Sequence, residues 1–127
     1  MTELNATVLI AEDDPVFRRV LSVAMSKRGL KIETVGDGFA AYQRIQQGGI
    51  DFLVLDHQMP LCSGIELLEQ LSTQREKGCA IPPTILCTAK GLELDGPDLM
   101  QRYQLVGILH KPFSPRQMGD LILKNLP

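Results

Sequence analysis

Four segments of this 127-residue sequence place ionisable or hydroxyl side chains directly after short apolar runs. Val8-Leu9-Ile10-Ala11 leads into Glu12-Asp13-Asp14-Pro15, and Phe52-Leu53-Val54-Leu55 leads into Asp56. Thr84-Ile85-Leu86-Cys87 leads into Thr88-Ala89, and a run ending at Leu109 leads into His110-Lys111-Pro112-Phe113. If the runs before Glu12 and Asp56 are neighbouring strands, Glu12, Asp13 and Asp56 converge. Three carboxylates held together repel, and at neutral pH a cation must offset the repulsion. A hard, oxygen-seeking ion that keeps some of its water, Mg2+ or alternatively Mn2+, suits two or three carboxylates and a backbone carbonyl. Lys111 adds a point charge able to pair with Asp56 or with a phosphate, and Thr88 adds a hydroxyl donor. Together these side chains describe phosphoryl transfer to an aspartate. Asp56 attacks, the cation lies between carboxylate and phosphoryl oxygens, and Lys111 and Thr88 contact the oxygens that remain. Positioning and charge stabilisation then supply the catalysis.

The elements that must position these residues alternate along the chain. Val8–Ala11, Phe52–Leu55 and Ile85–Cys87 are short, bulky and continuously apolar, as strands covered on both faces are. Lys31–Val35 and Val106–Leu109 are weaker strand candidates. Asp14-Pro15 opens a helix whose core stripe is read as Phe17, Val20, Leu21, Ala24 and Met25, with Gly29 as its C-cap. Asp37 caps a short helix through Ile45, stopped by Gly48-Gly49. Ser63 caps a helix over Gly64–Leu71, and the stretch Ser72–Pro83 reads as a polar loop. Gly96-Pro97 interrupts the Leu92–Tyr103 segment, whereas Ser114-Pro115 with Gln117 forms a capping box for the last helix. Five such β-α units predict an α/β fold, a parallel sheet with helices on both faces joined by right-handed crossovers. Ligands in such folds bind beyond the carboxyl ends of the strands.

Composition narrows the function classes. A hydrophobic fraction of 44% and a charged fraction of 22% are those of a globular domain. With 13 basic and 15 acidic residues, the net charge of −2 lacks the basic footprint of a nucleic-acid binder. No apolar run approaches a membrane span and no signal pattern opens the chain, which points to a cytoplasmic protein. Cys62, Cys79 and Cys87 form no C-x-x-C unit, and His57 and His110 lack helical metal-ligand spacing, so a bound metal should take oxygen ligands. His57 and His110 read as bystanders, His57 as a solvated loop residue; Cys87 reads as core.

At this point the sequence resembles the receiver domain of bacterial two-component response regulators, over nearly its whole length (residues 1–127 as one domain). The stretches that carry the resemblance are Val8–Pro15, Asp56-His57-Gln58-Met59-Pro60-Leu61-Cys62-Ser63-Gly64, Cys87-Thr88-Ala89 and Lys111-Pro112-Phe113. The resemblance implies a flavodoxin-like, three-layer (βα)5 fold with a five-stranded parallel sheet of order 2-1-3-4-5. It implies Asp56 as phosphoacceptor, Glu12 and Asp13 as the acidic metal pair, the Gln58 carbonyl as a further ligand, and a cis Lys111–Pro112 bond. It further implies that Gln58 and Lys90, two residues beyond Asp56 and Thr88, flank the path of the attacking water and tune phosphate lifetime. Ile108, three residues before the lysine, stands where receivers commonly carry an aromatic switch residue. A sensor histidine kinase or histidine phosphotransfer protein would supply the phosphoryl group to a chain that catalyses only its own phosphorylation and dephosphorylation. The residues after Lys111 suffice for a final helix and no output domain, so the expectation is a single-domain regulator or a receiver excised from a larger protein.

Three rival readings use the same residues. A degenerate receiver would act as a phosphorylation-independent docking module. An aspartyl-phosphate hydrolase needs a second acid two residues after the nucleophile, where this chain has the amide of Gln58. A flavodoxin-like electron carrier needs a phosphate cradle after its first strand, where this chain has acids.

Overall fold

The computed structural model describes residues 5–89 and 95–126. Among them, strands and helices alternate: β1 (Thr7–Ala11), α1 (Pro15–Ser26), β2 (Lys31–Val35), α2 (Gly38–Gln46), β3 (Phe52–Asp56), α3 (Gly64–Glu76), β4 (Thr84–Ala89), α4 (Gly96–Tyr103), β5 (Gly107–Lys111) and α5 (Pro115–Lys124). The strands form one parallel sheet in the order β2-β1-β3-β4-β5, the flavodoxin-like order. The two weak strand signals are the two sheet edges. An edge strand is covered less fully, so Lys31–Val35 tolerates polar residues that the inner strands exclude.

Because side chains alternate across each strand, the inner strands feed two cores. Leu9, Leu53, Leu55 and Leu86 pack with Leu67, Leu68 and Leu71 of α3. Val8, Ile10, Phe52, Val54 and Ile85 pack with Leu21 and Met25 of α1 and with Met118 and Ile122 of α5. These are the three layers expected for continuous apolar strands.

Helix starts follow side-chain chemistry closely. Asp14 accepts from the Val16 and Phe17 N–H groups, and Asp37 from Ala40. Ser114 and Gln117 form the expected capping box, and Ser63 and Glu66 form a second one whose Ser-x-x-Glu signal is equally plain in the sequence. Replacing such a cap with alanine typically costs about 1 kcal/mol.

Four expectations need correction. First, α3 runs on to Glu76 instead of yielding to a loop at Ser72. Gln74, Arg75 and Glu76 are polar but good helix formers, the Thr73 hydroxyl donates back to Glu69 O, and the turn comes only at Gly78, with φ of 92°. Second, Gly96-Pro97 starts α4: proline is tolerated in a first turn, and Asp95 caps it by accepting from the Asp98 N–H at 3.0 Å. Third, α1 is capped by Lys27, and Gly29 (φ 89°) instead turns the chain so that the Leu30 N–H reaches Met25 O. Fourth, Val20 is not core. Only Leu21 and Met25 of the expected stripe are fully buried, Phe17 and Ala24 flank them, and Val20 is 46% exposed beside Val16 (73%) and Val23 (44%).

Candidate functional site

The carboxyl ends of β1, β3 and β5 share one rim. Parallel register sets Ala11 beside Leu55, Asp56 beside Cys87 and Lys111 beside Ala89, so the residues ending these strands meet above the sheet. Carboxylate oxygens of Glu12, Asp13 and Asp56 lie within 4.8 Å of one another. Glu12 and Asp56 are buried and Asp13 is exposed. Lys111 Nζ donates to Glu12 Oε1 at 2.7 Å and to Asp56 Oδ2 at 3.1 Å. The ammonium also lies 5.4 Å from the centre of the Phe17 ring, which packs edge-on against Phe113. Lys111 is thus held from both sides, by charge and by an aromatic face.

The electrostatics follow from burial. Desolvation raises the Glu12 pKa above the usual carboxylate range, the nearby Asp56 raises it further, and Lys111 pulls against both. Burial lowers the Lys111 pKa, but its bonds to Glu12 and Asp56 outweigh that and leave it raised. One lysine therefore faces three acids. The set fits a hard divalent cation: it offers oxygen donors only, one acid is open to solvent, and the negative charge exceeds what Lys111 balances.

The Thr88 hydroxyl is buried with no hydrogen-bond partner among the described residues. Gln58 is exposed in the loop after β3, and its N–H reaches Asp56 Oδ1 only at 3.4 Å. Ile108 lies in β5, partly buried against the α3-side core, and pairs in register with Leu86. Lys90 lies outside the described residues. The Lys111–Pro112 bond is cis.

His57 is not the solvated loop residue expected. Its N–H donates to Cys87 O and its carbonyl accepts from the Gly64 N–H, which folds the loop against β4. Its Nδ1 is enclosed with no partner among the described residues, and burial lowers its pKa. Gly64 permits this closure, since a Cβ there would stand 2.7 Å from Asp56 O. His110 is exposed, and Cys87 is buried with its pKa raised by burial. Cys62 is half-buried, and burial with nearby Glu66 and Asp37 raises its pKa away from thiolate chemistry.

Sequence reasoning missed two contributors. Phe17 was read as core, yet it also faces Lys111. Arg18 carried no signal; its Nη1 donates to Glu12 O at 2.9 Å.

Residues 8–123 match the response regulator receiver domain. A probable transcriptional regulator, ycf29, of Porphyra purpurea is 30% identical over 125 residues, covering 97% of this chain and 57% of that protein. The peroxide stress-activated histidine kinase mak3 of Schizosaccharomyces pombe is 27% identical over 130 positions, covering 97% of this chain but 5% of the kinase. The solved structure of the Francisella response regulator 1452 receiver domain matches with a TM-score of 0.82 at 25% identity, covering 94% of this chain and 95% of that one. The chain spans about half the length of the first curated relatives it matches. Receiver domains are signalling domains rather than classical enzymes, and they generally bind Mg2+ through acidic residues such as those gathered at this rim. By the strand order, the acidic rim and the match over residues 8–123 together, the chain belongs to the response regulator receiver domain family of two-component signalling.

Proposed function

We propose that this receiver, one unit over residues 1–127, accepts a phosphoryl group on Asp56 and thereby alters a surface read by an output partner or an attached output domain. The observation that carries the reading is the buried Asp56 carboxylate, paired to Lys111 inside a cluster of three acids. The donor is the phosphohistidine of a sensor histidine kinase or a histidine phosphotransfer protein. An Asp56 carboxylate oxygen forms the new O–P bond as the N–P bond to histidine breaks, and the leaving imidazole takes up a proton from solvent. Lys111, anchored between Glu12 and Asp56, meets the charge of the incoming group. The unpartnered Thr88 hydroxyl donates to one of its oxygens. Glu12, Asp13, Asp56 and the Gln58 carbonyl would hold Mg2+, or Mn2+ in its place. When bound, that ion offsets the charge of the carboxylates and of the phosphoryl group.

Gln58 and Lys90 tune the hydrolysis that ends the signal, and exchanging both is expected to change the dephosphorylation rate. With aliphatic Ile108 in β5, the switch runs through Thr88 without an aromatic rotation. The likeness to part of a histidine kinase supports a phosphohistidine donor. The exposed Val16 and Val20 on α1 line a groove of about 560 Å³ that reaches Lys111 and Pro112, a surface suited to docking that donor. Among the described residues no helix is long and apolar enough to cross a membrane. The reading is of a cytoplasmic domain that contacts proteins and neither membrane nor nucleic acid.

Intact-mass measurement after incubation with Mg2+ and a small-molecule phosphodonor tests this. Wild type should gain one phosphoryl group, and Asp56→Asn or chelation should abolish the gain. No uptake by wild type, with no Mg2+-dependent binding of beryllofluoride, would leave a docking module as the better description.

A further inference from the structure

The three carboxylates of the rim are held unequally. Asp56 is fixed at the end of an inner strand, and Glu12 is buried with its carboxylate bonded to Lys111 and to the Asp14 N–H. Asp13 is exposed, and among the described residues its side chain has no hydrogen bond to hold it. The point from which it reaches into the site is set by its Cα, which the planar Glu12–Asp13 peptide holds fixed relative to the Glu12 carbonyl. The preceding peptide is tied to the edge strand, with the Glu12 N–H donating to Val35 O at 3.1 Å. The Glu12–Asp13 plane itself is gripped by Arg18, whose Nη1 donates to Glu12 O at 2.9 Å.

Arg18 is an unexpected residue to find here. It brings a positive charge to the edge of a site suited to a cation, and spends that charge on a neutral carbonyl, while its neighbour Arg19 and the capping Lys27 lie free of any ion pair among the described residues. Its seat also depends on Gly36, in the loop after β2. A Cβ at Gly36 would stand 2.8 Å from Arg18 Nη1 and 3.9 Å from its Cζ, with no other atom nearby. No positive φ requires glycine at that position. The group a side chain there would meet is the Arg18 guanidinium.

We propose that Arg18 is a positioning residue for the divalent-cation site, acting through the Glu12 carbonyl to aim Asp13, and that Gly36 is the space it needs. The inference rests on the cation-binding reading above. Charge and positioning predict opposite signs. If Arg18 mattered only as a nearby positive charge, removing it would tighten cation binding; as a positioning residue, its removal weakens binding.

The experiment is titration of the full chain with Mn2+ by electron paramagnetic resonance, and with Mg2+ by calorimetry, far below the unfolding temperature of each variant. Arg18→Met is expected to weaken binding about tenfold, the lower end of what loss of an outer-shell partner costs. Arg18→Lys should recover part of that loss. Gly36→Ala, which displaces the tip of a flexible side chain and leaves all charges in place, should weaken binding in the same direction. Added to Arg18→Met it should do nothing further, because the side chain it displaces is already gone. Tighter or unchanged binding in Arg18→Met overturns the proposal, as does an additive effect of Gly36→Ala. Asp13→Asn separates the two readings. If wild type binds no divalent cation, or Asp13→Asn binds as wild type does, the cation site itself is wrong; if Asp13→Asn loses binding and Arg18→Met does not, only the role of Arg18 is.

Discussion

The rim of the sheet and the outer face of α1 break the inside–outside rule in opposite directions. At the rim, two carboxylates are buried within reach of a third and one lysine stands against them. On α1, three valines spaced i, i+4 and i+7 face outward on a helix whose other face already packs against the sheet. Buried charge is costly unless paired, and exposed apolar surface is costly unless covered. On the proposed function, each region becomes favourable on gaining something the isolated chain lacks, a cation and phosphoryl group in one case and another protein in the other. The two adjoin, since Val16 and Val20 line the groove that reaches Lys111. The proposed chemistry and the proposed recognition should therefore be separable by mutation while lying side by side.

Removing Lys111 should test the rim most severely. Lys111→Met leaves the acids without their cation, and stability without metal is expected to fall by about 3 kcal/mol, the low end for breaking a buried pair. Urea unfolding with and without Mg2+ measures this, with Mg2+ recovering part of the loss. A variant as stable as wild type would mean the acids are solvated and the contrast with α1 is false.

Next in size is a change on the valine face. Val16→Glu with Val20→Glu should slow phosphoryl transfer from a cognate phosphohistidine protein by a factor equivalent to about 2 kcal/mol, the size of an interface hot spot. Folding stability should stay within about 0.5 kcal/mol of wild type, as for other surface changes. Uptake from a small-molecule phosphodonor should not change. Equal slowing with both donors would show that the two regions are one.

A smaller effect comes from pH. The Glu12 pKa is raised in the folded chain, so its contribution to stability is present below pH 4.5 and is lost as pH rises through the raised value. Unfolding without metal, followed upward from pH 4.5, should show this decline, and saturating Mg2+ should flatten it because the ion takes the place of the proton. Glu33 and Glu66, whose pKa values are lowered by Arg44 and by the Ser63 cap, act the other way, losing stability as pH falls below 4.5. Comparison with Glu12→Gln isolates the effect, and a decline that persists in that variant would move the titration elsewhere.

The rim was legible in the sequence because parallel strands end in register, and residues that follow apolar runs must then meet. Strand ends predict a meeting of Glu12, Asp13, Asp56, Thr88 and Lys111, and the structure brings Glu12, Asp13, Asp56 and Lys111 together; the helix caps come from short-range chemistry that needs no tertiary context. The helical stripe of α1 was legible only in part. Periodicity reports that Val20 lies near the apolar face, but it does not say where the sheet stops covering that face. The extension of α3 was hidden because its last turn is polar. Arg18 was hidden for another reason: its partner is a backbone carbonyl, and nothing in a one-dimensional pattern marks a side chain that reaches back over a turn.

The ion pairs at the rim join distant parts of the chain, 99 positions apart for Lys111 and Glu12 and 55 for Lys111 and Asp56. Closing such separations is slow, because the loop entropy is lost before the contact is gained. A growing polypeptide therefore carries its acids long before their counter-charge is made. An incomplete or nicked molecule without β5 keeps Glu12, Asp13 and Asp56 but has no ammonium between them. The electrostatic centre doubles as a length check: only a chain synthesised through its fifth strand can set the Lys111 ammonium between its buried acids.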